Sequence, residues 1–158
     1  MTDAQPNPTE QGQEQAQQLL NTLMPLVDKL LREEGEFMPF AAAMTPAGDF
    51  VSVGVPIDEE EANPSEAMLA DLQLVLREAA QQGEYQATAA VYDTGIVLDD
   101  KPESVPQDAI GIHLEHQQGF AMMVFVPYTL VKQQVQYGEM MAQPMDAIVF
   151  QTTPNKLQ

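Results

Sequence analysis

The chain has no cysteine and no tryptophan, and its 158 residues include only two histidines and six lysines and arginines. Without cysteine there is no disulfide framework, thiolate nucleophile or thiolate-ligated metal. No apolar run approaches the roughly 20 residues that span a bilayer. The opening stretch MTDAQPNPTEQGQEQAQQ has neither a basic start nor an apolar core, so it does not read as a secretory signal, and the expected location is cytoplasmic. Against the six basic residues stand 24 acidic ones, a formal net charge of −18. Such a field repels phosphate backbones and anionic lipid, which argues against nucleic-acid and membrane partners. It suits plain solubility, or an acidic face that steers a basic partner protein.

What is present suffices for one domain. Hydrophobic residues make up 44% of the chain, enough for a core. Residues 1–12 are polar and proline-bearing and read as a flexible tail; residues 13–158 read as a single α+β domain. Leu19, Leu20, Leu23, Met24, Val27, Leu30 and Leu31 recur at helical spacing and predict an amphipathic helix up to about Glu34. Pro25 predicts a kink or restart within it, and Gly35 a stop.

FMPFAAAMTPAGDFVSVGV reads as a β-hairpin turned at Pro46 and Gly48, with Pro39 at an edge or bulge. Asn63, Pro64 and Glu66 mark the capped start of a second helix. Its apolar stripe is Met68, Leu69, Leu72, Val75, Leu76 and Ala79, and Gly83 ends it. Strands follow at about Gln86–Leu98, Ala109–His116 and Phe120–Tyr128, with KPESVPQD a loop and QQG a tight turn. DAIVF reads as a last strand after the Met-rich GEMMAQPM. The order is α-β-β-α-β-β-β plus a C-terminal strand. It predicts an α+β fold, a single antiparallel sheet with helices packed on one face. Leu72, Val75 and Leu76 are expected to pack on a core face bearing Val51, Val53, Ile112 and Leu114. The layout resembles roadblock-like and profilin-like domains.

Both histidines fall in IGIHLEHQQGF, residues 110–120. Strand alternation sends Ile110, Ile112 and Leu114 to one face and His113 and Glu115 to the other, while His116 shares the parity of the apolar set. Histidines three apart on a strand do not converge on one ion, and no cysteine completes a zinc set, so no metal is expected. His113 and Glu115 share a face and are the candidates for acid/base chemistry, with Tyr92 or Tyr128 assisting. Their alternative reading is a polar face that is solvated or meets another subunit. No G-x-S-x-G elbow, P-loop or G-x-G-x-x-G occurs, and no signature pairs Ser52, Ser65 or Ser104 with His113. The run Asp58–Glu61 lacks the glycine and spaced oxygens of an EF-hand loop and fits the acidic approach to a helix start. No cofactor is implied.

Ten methionines are the remaining compositional signal. Met122 and Met123 point to opposite faces of one strand, so both faces of the sheet should be partly apolar. Helices cover one; a second subunit meeting Met123, Phe125, His113 and Glu115 is the expected cover for the other.

FMPFAAAMTPAGD, DAIGIHLEH and VPY followed by YG together resemble a set of small, uncharacterised bacterial proteins that share an F-x-P-F-A hairpin and an L-E-H strand leading to a P-Y end. The resemblance implies a bacterial α+β domain and transfers no catalytic residue. Small acidic domains of this kind are similar in style to immunity proteins that neutralise toxins. Three functional readings follow. The first is a non-enzymatic protein-interaction domain forming a homodimer through its sheet. The second is an immunity-like inhibitor that binds a basic toxin. The third is a small hydrolase or isomerase using His113 and Glu115.

Overall fold

The structure, a computed structural model, describes residues 8–57, 60–97 and 105–150. Two helices, α1 (Pro8–Glu34) and α2 (Pro64–Gln81), accompany seven strands. These are β1 (Phe40–Met44), β2 (Phe50–Val53), β3 (Ala87–Ile96), β4 (Gln107–His116), β5 (Ala121–Val131), β6 (Gln134–Tyr137) and β7 (Met141–Pro144). They form one antiparallel sheet in the order β2-β1-β3-β4-β5-β6, with β7 beside β6 on the outer edge of β5. The α+β class and its antiparallel sheet are those the sequence predicts.

Local signals explain most boundaries. The Asn63 side chain accepts from the Glu66 amide at 3.4 Å and donates to the Glu66 carboxylate at 3.0 Å, the reciprocal cap that starts α2. The β1–β2 turn closes through the Thr45 amide on the Asp49 carbonyl, at 2.9 Å. Pro39 lies just ahead of β1, where no ladder donor is required.

Helix α1 departs from expectation at two points. It begins at Pro8, so residues 8–12 belong to the helix and not to a tail. Proline suits a first helical turn, and Gly12 lets that turn dock: a Cβ there would lie 3.2 Å from the His116 ring. Residues 1–7 lie outside the described residues. The helix also runs through Pro25 without a restart. Pro25 and Asn21, whose carbonyl loses its intrahelical partner, are both exposed, so water can take the bond.

Helix α1 supplies the main layer. Leu19, Leu23, Val27 and Leu31 are buried against Ala42, Met44, Ala89, Val91, Ile110, Ile112 and Val124. Helix α2 buries Leu72 and Leu76 with Ala41, Ala90 and Val149. Ala41 and Ala42 are neighbours on one strand, as are Ala89 and Ala90, and adjacent strand residues point to opposite faces. The two helices therefore take opposite faces, and the stretch of alanines in β1 and β3 lets both approach closely. Leu72 and Leu76 meet Val53 as expected. They do not meet Ile112 and Leu114, which face α1, and Val75 is 39% exposed.

The largest departure is at the C-terminal end. The stretch 146–150, expected as a strand, is an irregular segment, and the strands here are β6, just ahead of the Met-rich stretch, and β7 within it. The reason is where its amides point. Those of Ile148, Val149 and Phe150 are all directed to the carboxylate of Glu115, whereas strand amides alternate sides. Residue 98 of the expected third strand and residues 101–104 of the expected loop fall outside the described residues, as do Asp58, Glu59 and Ser104; Gln107 and Asp108 open β4.

Candidate functional site

The face of the sheet that meets α2 carries the polar residues singled out in the sequence. His113 and Glu115 share it, as alternation requires, and His116 points to the opposite, α1 face. All three are buried, at 9%, 1% and 1% exposure. The polar face expected to be solvated or covered by a second subunit is thus closed here from within the chain.

His113 is held on both ring nitrogens. The Gln73 side-chain amide of α2 lies 2.7 Å from Nδ1, and the Tyr92 hydroxyl lies 3.4 Å from Nε2. With the amide donating to Nδ1, the ring proton sits on Nε2 and faces Tyr92. The tyrosine hydroxyl donates onward to the Met123 sulfur at 3.4 Å. The Tyr92 and His113 rings meet edge-on, centroids 5.3 Å apart at 80°. Gly111, opposite Tyr92 in the ladder, makes room for the ring: a Cβ there would come within 2.5 Å of it. Burial lowers the affinity of His113 for a second proton and raises that of the Tyr92 hydroxyl for its own.

Glu115 has a different role. Its two oxygens take four contacts of 3.0–3.1 Å from the three successive amides 148–150. Among the described residues no lysine or arginine pairs with it; the ion pair recorded is Arg32–Asp28 on the surface of α1. His113 and Glu115 therefore serve different partners. Tyr92 lines one cavity and Gln73 another, and neither His113 nor Glu115 lines either of them. Of the two assisting tyrosines, Tyr92 meets His113 and Tyr128 does not. Tyr128 is buried on the α1 face, where its hydroxyl donates to Asp93 at 2.8 Å. Burial, opposed by that bond, raises the Asp93 carboxyl, and burial with the Asp93 bond pushes the Tyr128 hydroxyl well up.

His116 is equally occupied. Its Nδ1 accepts from the Gln118 amide at 3.1 Å, and its Nε2 lies 2.5 Å from Gln15 Oε1 on α1. Among the described residues no cluster of histidine and carboxylate side chains could hold a metal ion.

Helix α2 and residues 146–150 cover only part of their face. Met123 and Phe125 of β5 remain half-buried, beside the 38% exposed Met141 of β7, which pairs with Phe125. Next to them, where residues 138–140 join β6 to β7, lies a cavity of about 330 Å³ lined by Gln107, Pro127, Tyr128, Gly138, Glu139 and Met141. Its one charged residue is acidic. Met140, 51% exposed, stands beside it in the chain. The sequence points to Met123 and Phe125; it gave no sign of Gln73, of the Asp93–Tyr128 pair or of the 146–150 segment, because each depends on a partner distant in the chain.

Compared with protein-family models, curated proteins and solved structures, the chain matches none of them. No helix among the described residues is long and apolar enough to cross a membrane.

Proposed function

We propose that this chain is a non-enzymatic interaction domain that binds a basic protein through the uncovered part of its α2 face. The observation that carries this reading is the strip Met123–Phe125–Met141 running to the cavity at Pro127, with Glu139 as the cavity's charged group. Thioethers and an aromatic ring give adaptable apolar contact. The chain's charge of −18 selects the sign of the occupant. The same charge opposes a second copy, and α2 with residues 146–150 already does much of the covering for which a second subunit was expected. A basic toxin neutralised in a bacterial cytoplasm is one partner that this chemistry suits. The enzymatic reading lacks support because Glu115 and His113 are each saturated by structural partners.

A short amphipathic peptide of leucine and lysine tests the reading in a calorimetric titration. Binding is expected, weaker as salt screens the charges, and lost in Phe125→Glu, which puts a carboxylate in the apolar strip. Binding indifferent to both salt and Phe125→Glu overturns it. So does a dimer seen by light scattering whose dissociation requires the same substitution, since the face would then serve a second copy.

A further inference from the structure

We infer that residues 146–150 are a strap that occupies one end of the docking face in cis and is displaced by the basic partner. The inference rests on the interaction reading above and adds its regulation. The strap leaves the end of β7, whose Met141 forms a wall of the cavity, and passes over Glu115 towards α2. It has no ladder of its own. Its anchors are the Glu115 carboxylate on amides 148–150, Val149, 5% exposed, among Ala41, Leu72, Leu76 and Ala90, and the half-buried Phe150 packed against the same cluster. Ile148, beside α2, is half-buried, as is Phe150, and the segment pairs with no strand. A segment fixed by so few contacts opens at lower free energy than the strands beneath it.

The nature of the first anchor sets which partner can replace it. Lifting the strap strips three amides from a carboxylate that is 1% exposed and, among the described residues, has no cation. An uncompensated carboxylate in that position is costly. A lysine or arginine restores charge-assisted hydrogen bonds to it and neutralises its charge as well, whereas the amides of the strap supply the hydrogen bonds alone. The strap therefore acts as a filter: the end of the face at Glu115 opens most readily for an occupant that brings positive charge.

Two variants of the full chain test this with the same leucine–lysine peptide. Val149→Ser weakens the apolar anchor and leaves Glu115 in place. Glu115→Gln turns one acceptor into a donor that faces amides. In both, hydrogen exchange at 148–150 is expected to quicken while β3 and β4 amides keep their protection. Peptide affinity should rise severalfold in Val149→Ser, because a weaker apolar anchor raises the fraction of chains whose strap is open. In Glu115→Gln it should not rise, because the group that receives the cation is gone. The inference is overturned if amides 148–150 of the unmodified chain exchange only together with those of β3 and β4. It is overturned equally if Val149→Ser frees the strap and binds the peptide no more tightly. Either result leaves the interaction reading standing when Phe125→Glu still abolishes binding. No binding by any form overturns both.

Discussion

The two faces of the sheet solve the same problem with different materials. Under α1 the contact is mostly aliphatic, built from leucines and Val27 of a 27-residue helix against alternate residues of four strands. Under α2 the apolar cluster is small, with five fully buried members, and the cover is completed by a hydrogen-bonded chain through Gln73, His113, Tyr92 and Met123 and by a carboxylate gripping a loop. The contrast separates two jobs. The first face gains stability from area; the second holds polar groups in fixed places and leaves an apolar strip free.

Replacing one buried leucine on each face gives the largest expected effects. Leu23→Ala should cost about 2–5 kcal/mol, and Leu72→Ala should fall at the low end of that range. Residues around Leu72, such as Leu69 and Val53, are half-buried and can move into the gap, whereas Leu23 belongs to a cluster of 18 buried residues. Urea midpoints of the two variants provide the check, and equal losses would erase the distinction between the faces.

Gly111→Ala probes the polar network directly. The new methyl overlaps the Tyr92 ring, so the ring must leave His113 and Met123. A cost of about 1–3 kcal/mol is expected from overpacking, with a changed His113 ring signal in NMR. An unshifted signal would show that the network does not depend on the close approach.

A pH ramp gives the smallest effect and compares the faces through their one histidine each. Burial lowers both His113 and His116 below the ordinary value. As pH falls below about 6.5, the unfolded chain takes up protons that the folded chain refuses. The stability tied to these residues is thus complete above that value and is lost as pH falls towards the folded values. Denaturation midpoints should decline between neutral pH and about pH 5, above the main carboxylate range. Substituting either histidine with glutamine should flatten part of the slope. A slope unchanged in both variants would assign it to other groups.

How much of this was legible follows from how local each cause is. The start of α2 was readable because Asn63, Pro64 and Glu66 act on one another within a turn. The parity of β4 was readable because alternation is a property of the strand itself. The side taken by α2 was not, since its stripe says that one flank is buried and not against what. DAIVF carries the composition of a strand, and only Glu115, more than thirty residues earlier, decides that its amides point one way. His113 and Glu115 were identified as polar residues on one face. That they are buried depends on Gln73 and on residues 148–150, which no spacing pattern links to them.

The outer edge of β5 has a consequence for the behaviour of the chain in concentrated solution. This strand of 11 residues is flanked there by two short ones, β7 beside Met122–Phe125 and β6 beside Tyr128–Val131. The changeover falls at Pro127. In an antiparallel strand a residue's amide and carbonyl point the same way, and the Pro127 carbonyl faces outward to the Gly138 amide at 2.7 Å. The amide that proline lacks is the one that would have been left bare at the gap. An incoming strand finds no donor there and a carbonyl already taken, so the seam cannot template growth of the sheet from molecule to molecule. A long, valine-rich strand is thereby kept from nucleating fibrils at the point where its own cover is interrupted.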